Sequence, residues 1–357
     1  MIIYRRRVVI MEYGKVKNNI FKIILTVCVI VALCAAFVAC DDGENDVKTF
    51  EESWMSYISD DATLGEIAIV GFHDAGTMNA GKAWATQHST IGQQLAAGVR
   101  YFDFRATTNP SDGDAYYFIH ANSDMPALGV SYGQNVATSF DAIKAFVERN
   151  TDEVLILDFQ HTWVATEQGL IDLMKDKLPM DKVLTKTDCA NPSAVTMGEM
   201  RELGKNIVIV YKDTTSNVCE ENDFLFERST FLQSDYVGSI HKGEPEELVA
   251  QWQTYFNAKK NGVLFVLQSQ LTGSPLEGRE ALIRPLLDDY LKEQVATNEI
   301  KLGKINIVMK DFVADNVADC AVSSKDAIHT ILSLNVDKGI VKTEKLDAFK
   351  TACGYQS

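Results

Sequence analysis

The chain has little of what marks a zinc module, a repeat protein or a multidomain chain. Its 357 residues include seven cysteines and six histidines, with no Cys-x-x-Cys pair and no Cys/His spacing typical of zinc ligands. Internal repeats, low-complexity tracts and Pro/Gly/Ser-rich breaks are also missing after the first fifty residues. These absences favour one globular body.

Positive charge is scarce as well. The 34 Lys and Arg residues are outnumbered by 49 Asp and Glu, for a net charge of −15. Six of the basic residues lie in the first 39 positions, so the remainder carries 28 basic and 48 acidic residues, a net charge of −20. Such a body has no electrostatic attraction to nucleic acid, and an anionic lipid surface repels it unless it is tethered. We expect no nucleic-acid partner.

One long uncharged run, residues 23–39, follows a basic start and ends at Cys40. A basic segment, an apolar stretch and a small residue before a cysteine are typical of a lipoprotein export signal. We predict a signal over 1–39 with cleavage before Cys40, which then carries lipid and holds the protein on the extracytoplasmic side of a membrane. An uncleaved anchor helix is the alternative, and Met11 is a second candidate start. A polar linker over 40–53 then precedes the body over 54–357.

Four cysteines follow Cys40. In an exported protein they can form disulfides in any of three pairings or remain free thiols, and both outcomes stay open. They are Cys189, Cys219, Cys320 and Cys353.

Short apolar runs alternate with amphipathic stretches. The runs predict strands over 66–70, 99–104, 116–119, 154–159, 206–211, 263–268 and 304–309, and the stretches predict helices over 86–97, 139–149, 166–177, 244–257, 279–296 and 324–334. Ser139 and Thr166 are candidate helix N-caps. Apolar strands alternating with helices indicate an α/β fold with a parallel sheet. We predict a single (β/α) barrel of the TIM type, incomplete because seven strands are counted instead of eight.

Titratable side chains stand at or near the ends of several of these strands. Apolar packing does not explain them, because a buried polar group needs a partner. In (β/α) barrels the chemistry lies at the carboxyl ends of the strands. A base, an acid and an anion binder suffice to cleave a phosphodiester without a metal. The candidates are His73, Asp103, Arg105, His120 and Asp311.

The segments that carry these residues resemble, in order, the X domain of phosphatidylinositol-specific phospholipase C, of the bacterial and X-domain-only type. They are IAIVGFHDAGT at 67–77, GVRYFDFR at 98–105, FIH at 118–120, EVLILDFQH at 153–161, FVLQSQLT at 265–272 and IVMKDF at 307–312. The resemblance covers about residues 54–315. It implies cleavage of an inositol phospholipid or a glycosyl-inositol anchor to a cyclic inositol phosphate.

The resemblance also implies a role for each candidate. His73 is the base for the inositol 2-hydroxyl, oriented by Asp311, and His120 is the acid for the leaving alcohol. The remaining members are Asp74 as the partner of His120, Arg105 as the phosphate binder and Asp103 beside it. Calcium-dependent relatives place carboxylates where Arg105 stands, so we predict metal-independent catalysis and no cofactor.

Three further positions are candidates for substrate binding, each with a structural alternative. His161 also fits a role at the barrel rim, Asp158 also fits a carboxylate satisfied within the fold, and Lys212 follows a strand near a family inositol contact. Phe72 and Ala121 depart from the family pattern beside the two histidines, which leaves substrate identity and activity open. The alternative functions are a magnesium-dependent glycerophosphodiester phosphodiesterase and a catalytically silent lipid- or glycan-binding barrel.

Overall fold

Parallel strands build the fold, as the apolar runs predict. The computed structural model describes residues 48–121, 130–164, 167–212, 217–297 and 302–355. Its ten strands are β1 Ile69–Phe72, β2 Tyr101–Asn109, β3 Ala115–Ala121, β4 Val130–Asn135, β5 Leu155–Trp163, β6 Ile207–Tyr211, β7 Leu225–Glu227, β8 Leu232–Ser234, β9 Leu264–Gln268 and β10 Ile307–Lys310. The predicted export signal, Cys40 and Thr166 lie outside the described residues.

Eight strands form the barrel wall in the order β7-β6-β5-β2-β1-β10-β9-β8, and all neighbours run parallel. The two ends of this order, β7 and β8, leave the barrel open between them. The predicted incomplete (β/α) barrel is therefore confirmed. Sequence reasoning missed both end strands, because three residues are too few to show a pattern.

Helices cover the sheet between the strands. They are α1 Phe50–Ser53, α2 Ile91–Ala96, α3 Val136–Arg149, α4 Glu167–Lys177, α5 Met197–Leu203, α6 Val218–Glu221, α7 Arg228–Phe231, α8 Gly238–His241, α9 Pro245–Ala258, α10 Leu276–Thr297, α11 Ser324–Asp337 and α12 Leu346–Ala352. The core between helices and sheet is apolar, and β1, β6, β9 and β10 are buried throughout. No helix in the described ranges is long and apolar enough to cross a membrane.

One predicted barrel strand belongs to a hairpin outside the wall. β2 continues past the barrel, and from Ala106 to Asn109 it pairs antiparallel with β3, which pairs in turn with β4. Phe104 stacks on Phe118 with ring centroids 4.1 Å apart, which fixes this hairpin to the barrel. The expectation that Arg105 and His120 stand at barrel-strand ends is therefore wrong in detail. Arg105 lies within β2, and His120 lies on the antiparallel β3.

Two helix starts also differ from prediction. Asn135 caps α3, accepting from the Thr138 amide at 3.2 Å, whereas Ser139 lies inside the helix and donates to the Asn135 carbonyl. The helix predicted from residue 86 begins at Ile91, after a capping box on Thr90. The residues ahead of Thr90 take part in the site described below.

The described body begins at Thr49 as one compact unit. The predicted linker over 40–53 falls mostly outside the described residues, but its last four positions form α1, whose Phe50 packs edge-on against Phe349. The disulfide alternative is not realised, since the four cysteines after Cys40 are free thiols.

Candidate active site

His73 directly follows β1 and is tied to the neighbouring strand β10. Its Nδ1 lies 2.8 Å from Oδ1 of Asp311, which directly follows β10. Both side chains are buried. Because Nδ1 is engaged, Nε2 is the nitrogen that faces the rest of the site, which is the arrangement a positioned base needs.

Arg105 lies at the centre of the cluster. Its Nε is 2.6 Å from Asp74 Oδ1, and its Nη2 is 3.7 Å from Asp103 Oδ2 and 3.3 Å from His73 Nε2. The guanidinium keeps 18% of its side chain exposed, whereas Asp74 is fully buried. An anion entering the site therefore meets Arg105 before the carboxylates. The predicted placement of Asp103 beside Arg105 matches this geometry.

His120 is held differently from the prediction. Its Nδ1 lies 2.5 Å from the backbone carbonyl of Trp84 but 3.8 Å from Asp74 Oδ2, which is beyond hydrogen-bond distance. Asp74 pairs instead with Arg105. The centroids of the His120 and His73 rings are 6.4 Å apart, so the two imidazoles flank one space.

Thr86 and Gln87 brace the chain where β1 and β10 end. Thr86 Oγ1 and Gln87 Nε2 each donate to the His73 carbonyl at 3.0 Å, and Gln87 also donates to the Lys310 carbonyl at 3.2 Å. The Phe312 amide donates to the Thr86 carbonyl at 2.8 Å. Phe312 and Asp74 both have positive φ, 47° and 45°. Such strained turns persist where their surroundings hold them, and here they directly follow the two partners of the His73–Asp311 pair.

The pKa of His73 is shifted upward. Burial lowers the pKa, but the charges of Asp74 and Asp311 outweigh burial and raise it to about 9. Protonated His73 faces Asp74 Oδ2, 3.5 Å from Nε2. The Arg105 contact to the same nitrogen is a hydrogen bond only when His73 is neutral, since Arg105 has donors alone. Loss of the proton therefore exchanges one partner of Nε2 for the other.

The two acids beside Arg105 shift in opposite directions. Burial raises the pKa of Asp103 to about 6, against the charge of Arg105. For Asp74 burial acts the same way, but the charges of Arg105, His73 and His120 outweigh burial and lower the pKa. Asp74 is thus the fixed negative charge of the cluster.

A second guanidinium, Arg228, lies close by, and sequence reasoning missed it. Both oxygens of Asp158 contact Arg228 Nε, at 2.9 and 3.0 Å, and Tyr101 Oη donates to Asp158 at 2.7 Å. Asp158 is fully buried, so it acts on the site through Arg228. Arg228 directly follows the short strand β7, and a strand that short gives no sequence pattern that would have revealed it.

The two other predicted substrate-binding residues are His161 and Lys212. His161 pairs with Arg105 across β5 and β2 and stacks on Trp163 at 5.0 Å, and its charge helps lower the pKa of Asp74. Lys212 follows β6, where its amide donates to the Phe159 carbonyl at 3.0 Å. The charge interaction with Asp74 places His161 beside the cluster.

His73, Asp74 and Asp103 could together hold a metal ion, since one ligand atom from each lies within 4.8 Å of the others. Arg105 already supplies a positive charge beside both carboxylates. The imidazole and the two carboxylates therefore suit a metal cation, and the guanidinium of Arg105 lies beside the two carboxylates. The predicted metal independence remains a prediction.

Comparison with known proteins gives one family. The 1-phosphatidylinositol phosphodiesterase of Listeria monocytogenes is 24% identical over 303 residues, 74% of this chain and 88% of that protein. Human PI-PLC X domain-containing protein 3 is 26% identical over 275 residues, 72% of this chain and 76% of its own length. The chain is thus similar to proteins named as a phosphatidylinositol phosphodiesterase and as PI-PLC X domain-containing proteins. No family model matches it.

Solved phospholipases C of this kind share the fold. The Listeria monocytogenes enzyme superimposes with a TM-score of 0.55 at 20% identity, covering 80% of this chain and 98% of that structure. A phosphatidylinositol-specific phospholipase C variant from Staphylococcus aureus gives 0.57 at 17% identity, covering 82% and 97%. Because these identities are below 25%, the likeness shows that the chain shares the barrel fold of these structures. The roles of its residues depend on the geometry described above.

Proposed function

We propose that the chain is a phosphodiesterase of the phosphatidylinositol phospholipase C type. One observation carries the proposal. Two imidazoles lie 6.4 Å apart beside the guanidinium of Arg105, which is partly open to solvent. This arrangement suits a phosphodiester in which a neighbouring hydroxyl attacks phosphorus, because that step needs one proton removed, one proton supplied and added negative charge stabilised.

His73 takes the proton. With Nδ1 bound to Asp311, its Nε2 removes the proton from the inositol 2-hydroxyl as the O–P bond forms. The carboxylate of Asp311 stabilises the resulting imidazolium and keeps the ring oriented. The pKa of about 9 in the free protein means that His73 starts protonated at neutral pH. His73 must therefore lose that proton to solvent before its Nε2 can act as the base.

His120 gives the proton. The Trp84 carbonyl accepts from Nδ1–H, so the proton on Nε2 of the cation goes to the oxygen of the diacylglycerol or other alcohol as its bond to phosphorus breaks. Arg105 stays charged throughout and binds the phosphoryl oxygens with its planar fork. The products are a cyclic inositol phosphate and the free alcohol.

Some buried carboxylate oxygens of the site have no hydrogen-bond donor, and the hydroxyl groups of a polyol could supply one. Asp311 Oδ2 and Asp103 Oδ1 are buried and have no hydrogen-bond partner among the described residues. A buried acceptor left unpaired costs about 1–3 kcal/mol. Hydroxyl groups of a bound inositol supply the missing donors, which supports a sugar-like headgroup over a simple glycerol diester.

The test is turnover of a panel of inositol phospholipids, a glycosyl-inositol anchor and a glycerophosphodiester, each in excess EDTA. We expect inositol lipid cleavage to survive the chelator. Full loss of activity in EDTA with recovery on adding magnesium would favour the magnesium-dependent enzyme. In that case His73, Asp74 and Asp103 are the residues that could hold the ion. Lipid binding without turnover would favour a silent barrel.

The N-terminal sequence supports a second, separate proposal: the protein is an exported lipoprotein anchored through Cys40. A body of net charge −20 needs a tether to stay near an anionic membrane. Expression with a radiolabelled fatty acid tests it. The native chain should take up label and sediment with membranes, whereas Cys40→Ala should lose both. Label retained in Cys40→Ala would contradict the proposal.

A further inference from the structure

A cluster of lysines lies at the pole of the barrel opposite the active site. Lys259 and Lys304 precede strands β9 and β10, and Lys338 directly follows helix α11. The strands run from this pole to the one that carries His73 and Asp311. With a rise of about 3.3 Å per residue, the length of β10 separates the two.

The three amines bind only neutral backbone groups. Lys259 Nζ donates to the Lys304 carbonyl at 3.0 Å, and Lys304 Nζ donates to the Phe256 carbonyl at 2.8 Å. Lys338 Nζ donates to the carbonyls of Glu66 and Ile305 at 2.8 and 2.6 Å. Among the residues that the structure describes, none of these amines has a carboxylate within 4.0 Å. The cluster therefore has no carboxylate in direct contact, and the charge of Glu66 acts on Lys259 and Lys338 from further away.

The lysines repel one another. Burial and the charge of Lys304 lower the pKa of Lys259 to about 8, and burial and the charge of Lys259 lower the pKa of Lys338 to about 7. Such groupings cost free energy unless an anion is present. They also stand out in a chain of net charge −15.

A cavity of about 330 Å³ opens beside them, lined by Lys259, Lys260 and Lys304 and by hydroxyl-bearing Thr63 and Ser193. Glu66 is the one carboxylate among the described residues lining it. Its Oε2 already accepts from the Thr63 amide and hydroxyl, at 2.9 and 2.8 Å. The volume lies at the lower end of small-ligand sites, about 300–1,000 Å³.

We propose that this lysine cavity binds a phosphate-bearing anion, either free or as the headgroup of an anionic lipid. Three lysines, Lys259, Lys260 and Lys304, line it against the carboxylate of Glu66, and lysine binds phosphate as a point charge. The hydroxyls of Thr63 and Ser193 already donate to Glu66 and Asn191, so the lysines are the side chains that would hold the anion. The site is separate from Arg105.

The test uses the full chain and inorganic phosphate. Acetylation of each lysine by a limiting reagent is read by mass spectrometry with phosphate or with chloride at the same ionic strength. Phosphate should slow acetylation of Lys259 and Lys304 and leave exposed Lys144 unchanged. This readout needs no variant and does not respond to phosphate bound at Arg105.

Calorimetry with two variants completes the test. Lys304→Met should weaken phosphate binding about tenfold or more, the usual effect of losing one charged hydrogen bond, and Lys144→Met should not. Vesicles of phosphatidylglycerol, compared with phosphatidylcholine, separate the sources: capture lost in Lys304→Met indicates a lipid headgroup, and phosphate binding without capture indicates a free anion. Equal acetylation in phosphate and chloride, or equal binding by both variants, would overturn the proposal.

Discussion

The two histidines of the site differ in what holds them. His73 stands on the barrel wall and is bound by a buried carboxylate, whereas His120 stands on the outer hairpin and is bound by the backbone carbonyl of Trp84. An anion stabilises an imidazolium, and a neutral carbonyl orients the ring with less effect on its charge. The base that must gain a proton therefore has the anionic partner, and the acid that must release one has the neutral partner.

Removing either imidazole should have the largest effect. We expect His73→Gln and His120→Gln each to lower kcat about 10²–10⁴-fold, the usual contribution of one general acid or base. Arg105→Ala should lower it about 10²–10³-fold through lost charge stabilisation. Initial rates on phosphatidylinositol measure all three. Near-native rates in either histidine variant would remove that residue from the chemistry.

Changing Asp311, the carboxylate partner of His73, should have the next largest effect on kcat. Asp311→Asn removes one of the two charges that raise the pKa of His73, so this pKa should fall below about 9. We expect kcat to fall about a hundredfold, equivalent to roughly two pKa units of lost imidazolium stabilisation. Proton NMR of the imidazole tracks the shift. An unmoved His73 titration in Asp311→Asn would show that this contact does not tune the base.

The same pKa makes stability depend on pH. A histidine with its pKa raised from 6.5 to about 9 stabilises the fold fully below pH 6.5, and the contribution disappears as pH rises through 9. The amount is up to about 3 kcal/mol. Urea unfolding at pH 6 and pH 9.5 should thus show a smaller difference between the native chain and His73→Gln at the higher pH.

The comparison with His73→Gln is needed because Lys259 and Lys338 have lowered pKa values and act in the opposite direction over an overlapping range. They are unchanged in the variant. A stability difference that stays constant between the two pH values would contradict the assigned shift.

The smallest effect should come from changing Thr86, which donates to the His73 carbonyl. Thr86→Val keeps the shape of the side chain but removes the donor to the His73 carbonyl, so we expect about 1 kcal/mol of lost stability. A positioning role further predicts a lower kcat with unchanged KM and a shifted His73 resonance. Thr351→Val, on the exposed side of α12, is the control. Equal kcat in both variants would restrict Thr86 to a structural role.

Periodicity and strand ends predicted the barrel wall, and the motifs predicted the pairing of His73 with Asp311. The partner of His120 could not be predicted, because a backbone carbonyl has no sequence signature and Trp84 lies in none of the predicted elements. Arg228 was missed for a similar reason, since three-residue strands give no periodicity. The hairpin of β3 and β4 pairs with the part of β2 that extends beyond its pairing with β1. A pattern of apolar residues does not show how far a strand extends.

The most direct test of the base and acid assignment compares two leaving groups. An inositol phosphodiester of a simple alcohol needs a proton on the departing oxygen, whereas one of nitrophenol does not, because nitrophenolate is already a stable anion. We predict that His120→Gln loses most activity on the alkyl ester and little on the nitrophenyl ester, while His73→Gln loses both. Equal losses on the two esters in His120→Gln would contradict the account.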